Sequence, residues 1–389
     1  NPSGIHGYVA DTRFSMERGF FEKSFTVEIR TWTPSAQIRY TTDGSAPTLG
    51  HGTIYTDPLT ISMTTVLRAA AFKDNYQPTN VDTQTYLFLD DVVRQPAAPA
   101  GYPTNWKGIV ADYAMDADLG NLREITNVSS ASLGQTRAIV TESLKSLPTL
   151  SVAVDPADFF DSSKGIYLNP SARKLEVPAS VELLSPDGSE KGFQENAGIR
   201  IMGGTSRNLS TSPKLSMRLL FKEVYGAGRL NYRFFPASPV DNYNSLPLRS
   251  NTRDAWPYFA GASYIADQWA KETQHDMGQV ATAGRYVHLF INGLYWGVYN
   301  PTERPDAASA SERLGGDDST FDGVKFCCPQ RAVDGDTKKW DELLGMAKTG
   351  QLSGNKDYFR VQGLNPDGTL NGGFEKLLAL DNLIDYVIN

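Results

Sequence analysis

GIRIMGGTSRNLSTSPKLSMRLLFK, residues 198–222, reads as a strand, a glycine turn and a second strand opened by Lys214. The turn Gly203-Gly204-Thr205-Ser206-Arg207 offers backbone N–H groups, hydroxyls and a guanidinium. Glycine lets a backbone approach an anion closely. A strand lysine adds a point charge. Together these groups can hold a phosphate. The plainer alternative is an exposed lysine beside a Gly/Ser loop.

The partner stretch is RYVHLFINGLYWGVYNPTER, residues 285–304. It reads as a hairpin closed by Asn292-Gly293 and ending at the acidic Glu303. The functional reading needs this hairpin to wall the phosphate turn.

Around these two stretches the pattern is mixed. TLSVAV (149–154), ASVELL (179–184), GIRIMG (198–203) and KLSMRLLF (214–221) read as strands. Asp155-Pro156 caps a short helix, DPADFF. Residues 256–274 carry apolar positions at Trp256, Phe259, Ala260, Ile265, Ala266, Trp269 and Ala270, a helical stripe. Residues 338–348 and 373–389 also read as helical.

Residues 1–90 differ. FTVEIRT (25–31), QIRYTT (37–42), PLTIS (58–62), TVLRAAAF (65–72) and TQTYLFL (83–89) are short strands with turn signals between them. No helical stretch interrupts them, so a β-sandwich is expected. QPAAPAGYPTNWKG (95–108) reads as a linker. The expected organisation is therefore multi-domain: residues 1–90, a connector over 91–148, and an α+β region over 149–389.

Composition narrows the function. With 389 residues, 40% hydrophobic and 21% charged, the chain can bury a sizeable core. A net charge of −7 argues against a nucleic-acid surface. No apolar run is long enough to span a bilayer. The chain starts at Asn1, so a processed or excised product is expected. The two cysteines, Cys327 and Cys328, are adjacent and read as unpaired thiols.

Familiar sites are missing from the sequence: no P-loop, no G-x-S-x-G, no H-E-x-x-H. The histidines His6, His51, His275 and His288 are too scattered for a zinc cluster. DADLGNLRE (116–124) departs from calcium-loop spacing, and GGDDSTFD (315–322), with Asp317-Asp318, reads as a solvated loop; no metal site is expected.

Two resemblances add to this reading. IRYTTDGSAPTLGHGTIYTDPLTISMTTVLRAAAF resembles the chitobiase/β-hexosaminidase C-terminal module, an immunoglobulin-like accessory sandwich of exported proteins. Residues 149–389 resemble the CotH family of secreted, bacterial, atypical protein kinases. The motifs are SLPTLSVAVDPADFF, PASVELLSPDG, GIRIMGG, PKLSMRLLFK, SLPLRS, RYVHLFINGLYWGVYNPTERPD and LDNLIDYVIN.

What this resemblance implies is an atypical-kinase-like N-lobe that binds ATP and Mg²⁺. Lys214 matches the ATP-contacting lysine, Gly203, Gly204, Ser206 and Arg207 the phosphate-side loop, and Glu303 the acidic residue by the cleft. Asp267 and Glu272 are candidates for the carboxylate that holds the lysine. The family's catalytic carboxylates follow the segment matching LDNLIDYVIN, so none is expected before Asn389. The implied function is a fragment of an exported CotH-type kinase acting on protein hydroxyls, inactive alone. The other reading is a non-catalytic envelope or extracellular module that binds a partner. A glycosidase is disfavoured, because no βαβα repetition or paired carboxylates appear.

Overall fold

The computed structural model describes residues 4–115, 133–255, 260–325 and 331–389. The chain separates into two compact units. The first comprises Asn1–Tyr232, Asn242–Ala262 and Arg285–Pro301; the second comprises Arg233–Asp241, Ser263–Gly284 and Thr302–Asn389.

The first unit begins with a β module in two layers. A five-stranded sheet runs Gly19–Phe20, Asp82–Leu87, Thr65–Phe72, Gln37–Thr41, Thr53–Ile54. Opposite it, Phe25–Val27 pairs with Leu59–Ile61. Val27, Ile29 and Ile61 meet Ile38, Leu67, Ala69 and Tyr86 in one apolar core. The Thr65–Phe72 strand does not show half-buried alternation: every residue after Thr65 is buried. Its second face, and that of Asp82–Leu87, is covered by the rest of the unit. There Thr85 Oγ1 bonds Ser151 Oγ at 2.8 Å, and Thr85 N–H donates to Glu182 at 3.2 Å.

What covers that face is a closed barrel. Its ring runs Thr149–Val154, Val177–Leu184, Phe193–Ile201, Met217–Leu220, Ser245–Arg249, Leu294–Pro301, Val287–Ile291. Neighbours are antiparallel except at the closing seam, where Thr149–Val154 pairs parallel with Val287–Ile291. Ile199, Leu219 and Leu246 are buried and pair in succession, Leu150 pairs with Leu289 across the seam and with Leu183 on its other side, and all of these are buried. That continuous apolar face forms the interior.

The Asn292-Gly293 turn has φ of +49° and +81°, as a tight hairpin demands. Asn292 also bonds both backbone groups of Val154 at 2.8 Å, so its amide extends the seam by one rung. The tip abuts the β module, where a side chain on Gly44 would overlap the Asn292 amide. Residues 95–113 do not behave as a free linker. Gln95 accepts from Tyr295 N–H at 2.8 Å, and Trp106 and Tyr113 pack their rings against Trp296.

The second unit carries the helices Ala266–Asp276, Ala307–Leu314, Lys338–Lys348, Asn355–Arg360 and Leu380–Ile388. The Ala307–Leu314 helix starts in a capping box made by Asp306 and Ser309. Two helix expectations change here. The 256–274 stripe begins in residues outside the described ones (256–259), and the helix itself is Ala266–Asp276. Within it Gln268 is buried while Trp269 is exposed, because the Gln268 amide donates to Glu272 and to the Gly284 carbonyl. The 373–389 helix is confined to Leu380–Ile388. The 116–124 acidic run and Cys327-Cys328 lie outside the described residues.

Candidate functional site

Lys214 does not sit on a strand. It occupies a bend three residues before Met217–Leu220 and is exposed. Pro213 lacks an N–H, so a ladder cannot begin there. Nearby carbonyls are instead taken by buried hydroxyls, one from the turns after Pro156–Phe160 and one from the barrel strand Leu294–Pro301. Tyr167 Oη donates to the Pro213 carbonyl at 2.5 Å and Tyr299 Oη to the Leu215 carbonyl at 3.0 Å. The lysine side chain runs across Gly297, where a Cβ would overlap Nζ and stand 3.2 Å from Cε.

The expected phosphate turn is a loop between Phe193–Ile201 and Met217–Leu220, and Gly203 and Gly204 are exposed in it. Gly203 has φ of +118°, a conformation that needs glycine, and packs against Ser206 Oγ. Thr205–Arg207 form a single 3-10 turn. Arg207 is turned inward: Nε donates to the Gly203 carbonyl at 2.9 Å, and its two terminal nitrogens donate to Pro170 and Ile201 carbonyls at 2.6 Å. Burial, with Arg173 and Arg200 close by, lowers its pKa. Arg207 thus staples the loop. A sequence cannot distinguish a guanidinium aimed at backbone carbonyls from one aimed at a ligand.

The remaining sequence candidates belong to the second unit. Glu303 is buried, with a side chain only 1% exposed. Its carboxylate accepts from Ser238 Oγ, from Ala283 N–H at 2.7 Å and from Arg313. Asp267 pairs with Lys271 at 2.7 Å, and Glu272 accepts from Gln268 at 2.8 Å. Asp317 caps a 3-10 turn by accepting from Ser319 N–H at 2.8 Å. Among the described residues no group of three or more His, Cys, Asp or Glu is arranged to hold a metal ion.

Two features escaped the sequence reading. Glu182, flagged only by being a lone acid in the apolar strand 179–184, is buried at the junction of β module and barrel. It accepts from Thr85 N–H and Oγ1, with Arg18 at 3.6 Å. Burial pushes its pKa up to about 7, against the pull of Arg18, Thr85 and Arg68. The second is a cleft of about 260 Å³ lined by Thr64, Asp91, Pro99, Tyr102 and Asn292. None of the expected site residues lines it.

These observations define the class: a two-layer β module built against a closed barrel, and a second, helical unit interleaved with the barrel in sequence. Residues 16–83 match the model of the chitobiase/beta-hexosaminidase C-terminal domain. Residues 199–389 match the model of the CotH kinase protein family. The chain therefore carries a chitobiase-type module followed by a CotH-type segment, in the order the motifs suggested. No curated protein matches it. No helix among the described residues is long and apolar enough to cross a membrane.

Proposed function

We propose that the chain is the nucleotide-holding part of an exported CotH-type kinase, its α+β region serving as an atypical kinase N-lobe. In the intact parent the reaction is transfer of a phosphoryl group from ATP-Mg to a protein hydroxyl. The observation carrying this reading is the placement of Lys214: an exposed residue on a backbone clamped by the buried tyrosines Tyr167 and Tyr299, within the segment that matches the CotH model. A clamped lysine suits a phosphate as a fixed point charge. Gly203, Gly204 and Ser206 belong to the same loop and are assigned to the phosphate side. Among the described residues no group of three or more His, Cys, Asp or Glu is arranged to hold a metal ion, and no step is derived through the metal. The chitobiase-type module supports an extracellular location for the parent.

A second reading has its own support. Arg207 and Glu303, both nucleotide-binding candidates, spend their charged groups on internal bonds. That favours a scaffold used for contact with an envelope or extracellular partner.

Calorimetric titration of ATP-Mg into the wild type and Lys214→Ala separates the two. The kinase-type reading expects a loss of about tenfold or more in affinity, since a charge-assisted contact contributes about 1.5–3 kcal/mol. Equal affinity in both proteins, or no binding in either, leaves the scaffold.

A further inference from the structure

Three successive carbonyls around Lys214 are each taken by a side-chain hydroxyl. Tyr167 serves Pro213, Ser212 serves Lys214 itself at 2.9 Å, and Tyr299 serves Leu215. The Leu215 N–H donates back to Tyr167 Oη at 3.4 Å. Tyr167 and Tyr299 are both fully buried, so neither hydroxyl can exchange its carbonyl for bulk water. A surface bend usually satisfies itself through short-range turns. This one is fastened by two buried tyrosines distant in sequence.

The side chain is steered as well as the backbone. The Val287–Ile291 and Leu294–Pro301 ladder shifts register between Leu289 and Phe290, which pair with Gly297 and Tyr295. Trp296 is the extra residue of that bulge, and Gly297 beside it has φ of +121°. The Cβ that Gly297 lacks would occupy the path of the lysine, overlapping Nζ and lying 3.8 Å from Cδ. The irregularity in the hairpin therefore leaves a channel that Lys214 fills.

We propose that Tyr167, Tyr299 and Gly297 are positioning residues for Lys214: the tyrosines fix its backbone and the bulged glycine sets the course of its ammonium group. The purpose of this cradle rests on the nucleotide reading above; its existence does not. The full chain is reductively methylated with ¹³C-formaldehyde, and the Lys214 signal is identified by its loss in Lys214→Ala. Tyr167→Phe and Tyr299→Phe are then compared with wild type by NMR and by ATP-Mg calorimetry. Each variant is expected to move the Lys214 signal, leave the other lysine signals in place and weaken ATP-Mg roughly fivefold, the size of one hydrogen bond. Gly297→Ala is expected to move the same signal further. It carries backbone strain, so the tyrosine variants decide if it fails to fold. A Lys214 signal unmoved in both tyrosine variants overturns the cradle. If wild type takes up no ATP-Mg, the nucleotide reading falls, and the lysine signal still decides the cradle.

Discussion

Glu182 and Glu303 are equally deep, each with a side chain only 1% exposed, yet they are held in opposite ways. Glu303 is ringed by donors from three segments: Ser238, the Ala283 N–H and Arg313. Among the described residues Glu182 takes its hydrogen bonds from Thr85 alone, and Arg18 stands off at 3.6 Å. The lesson is that burial does not decide how a carboxylate is held. The number and aim of its donors do. A ringed carboxylate fastens segments together, whereas an under-supplied one is held near its titration point.

The largest effect should come from breaking the ring. Arg313→Met leaves the Glu303 charge buried without its cation and should destabilise by about 3–5 kcal/mol. Urea unfolding followed by tryptophan fluorescence measures it; a loss under about 1 kcal/mol would mean that Ser238 and Ala283 suffice.

Next comes pH. The folded-state pKa of Glu182 is raised from 4.5 to about 7, so its proton is retained in the folded state after the unfolded state has lost it. The stability it lends is full below pH 4.5 and is lost as pH rises through about 7. The swing is on the order of 3 kcal/mol. Asp82, raised to about 6 by burial and by Asp11, slopes the same way, so the comparison must use Glu182→Gln. Thermal melts between pH 4.5 and 8 should show a flatter profile for the variant. Parallel profiles would show that Glu182 stays ionised.

The smallest effect sharpens the contrast. Ser238→Ala removes one of three donors to Glu303 and should cost about 1 kcal/mol in urea unfolding. An unchanged urea midpoint in that variant would show that Ala283 and Arg313 hold Glu303 without the serine.

Much of the fold was legible. The short strands of residues 25–89, the Asn292-Gly293 hairpin and the 338–348 helix all follow from alternation, turn chemistry and helical period. The barrel was not, because its parallel seam joins strands whose pairing leaves no local signal. The CotH match begins at residue 199, inside the third strand of the ring, so the strands Thr149–Val154 and Val177–Leu184 lie outside it yet complete it. At the site, Lys214 was found by its residue type, but its setting was misread, because Pro213 and two distant tyrosines determine the backbone there. Arg207 and Glu303 were singled out as charges; their aim depends on carbonyls and donors that only folding brings near. Gly297 stood within a quoted motif without a reason until the bulge supplied one.

The seam has a consequence for how the molecule is made. Val154 and Asn292, joined across it, are 138 positions apart in the chain. During synthesis the first edge must wait for 138 further residues before its mate exists. Contacts so remote in sequence slow folding, and an unmated strand edge invites pairing with other chains. The nascent protein is therefore most vulnerable to aggregation just before residue 292 appears, and the Asn292 amide is the latch that ends that interval.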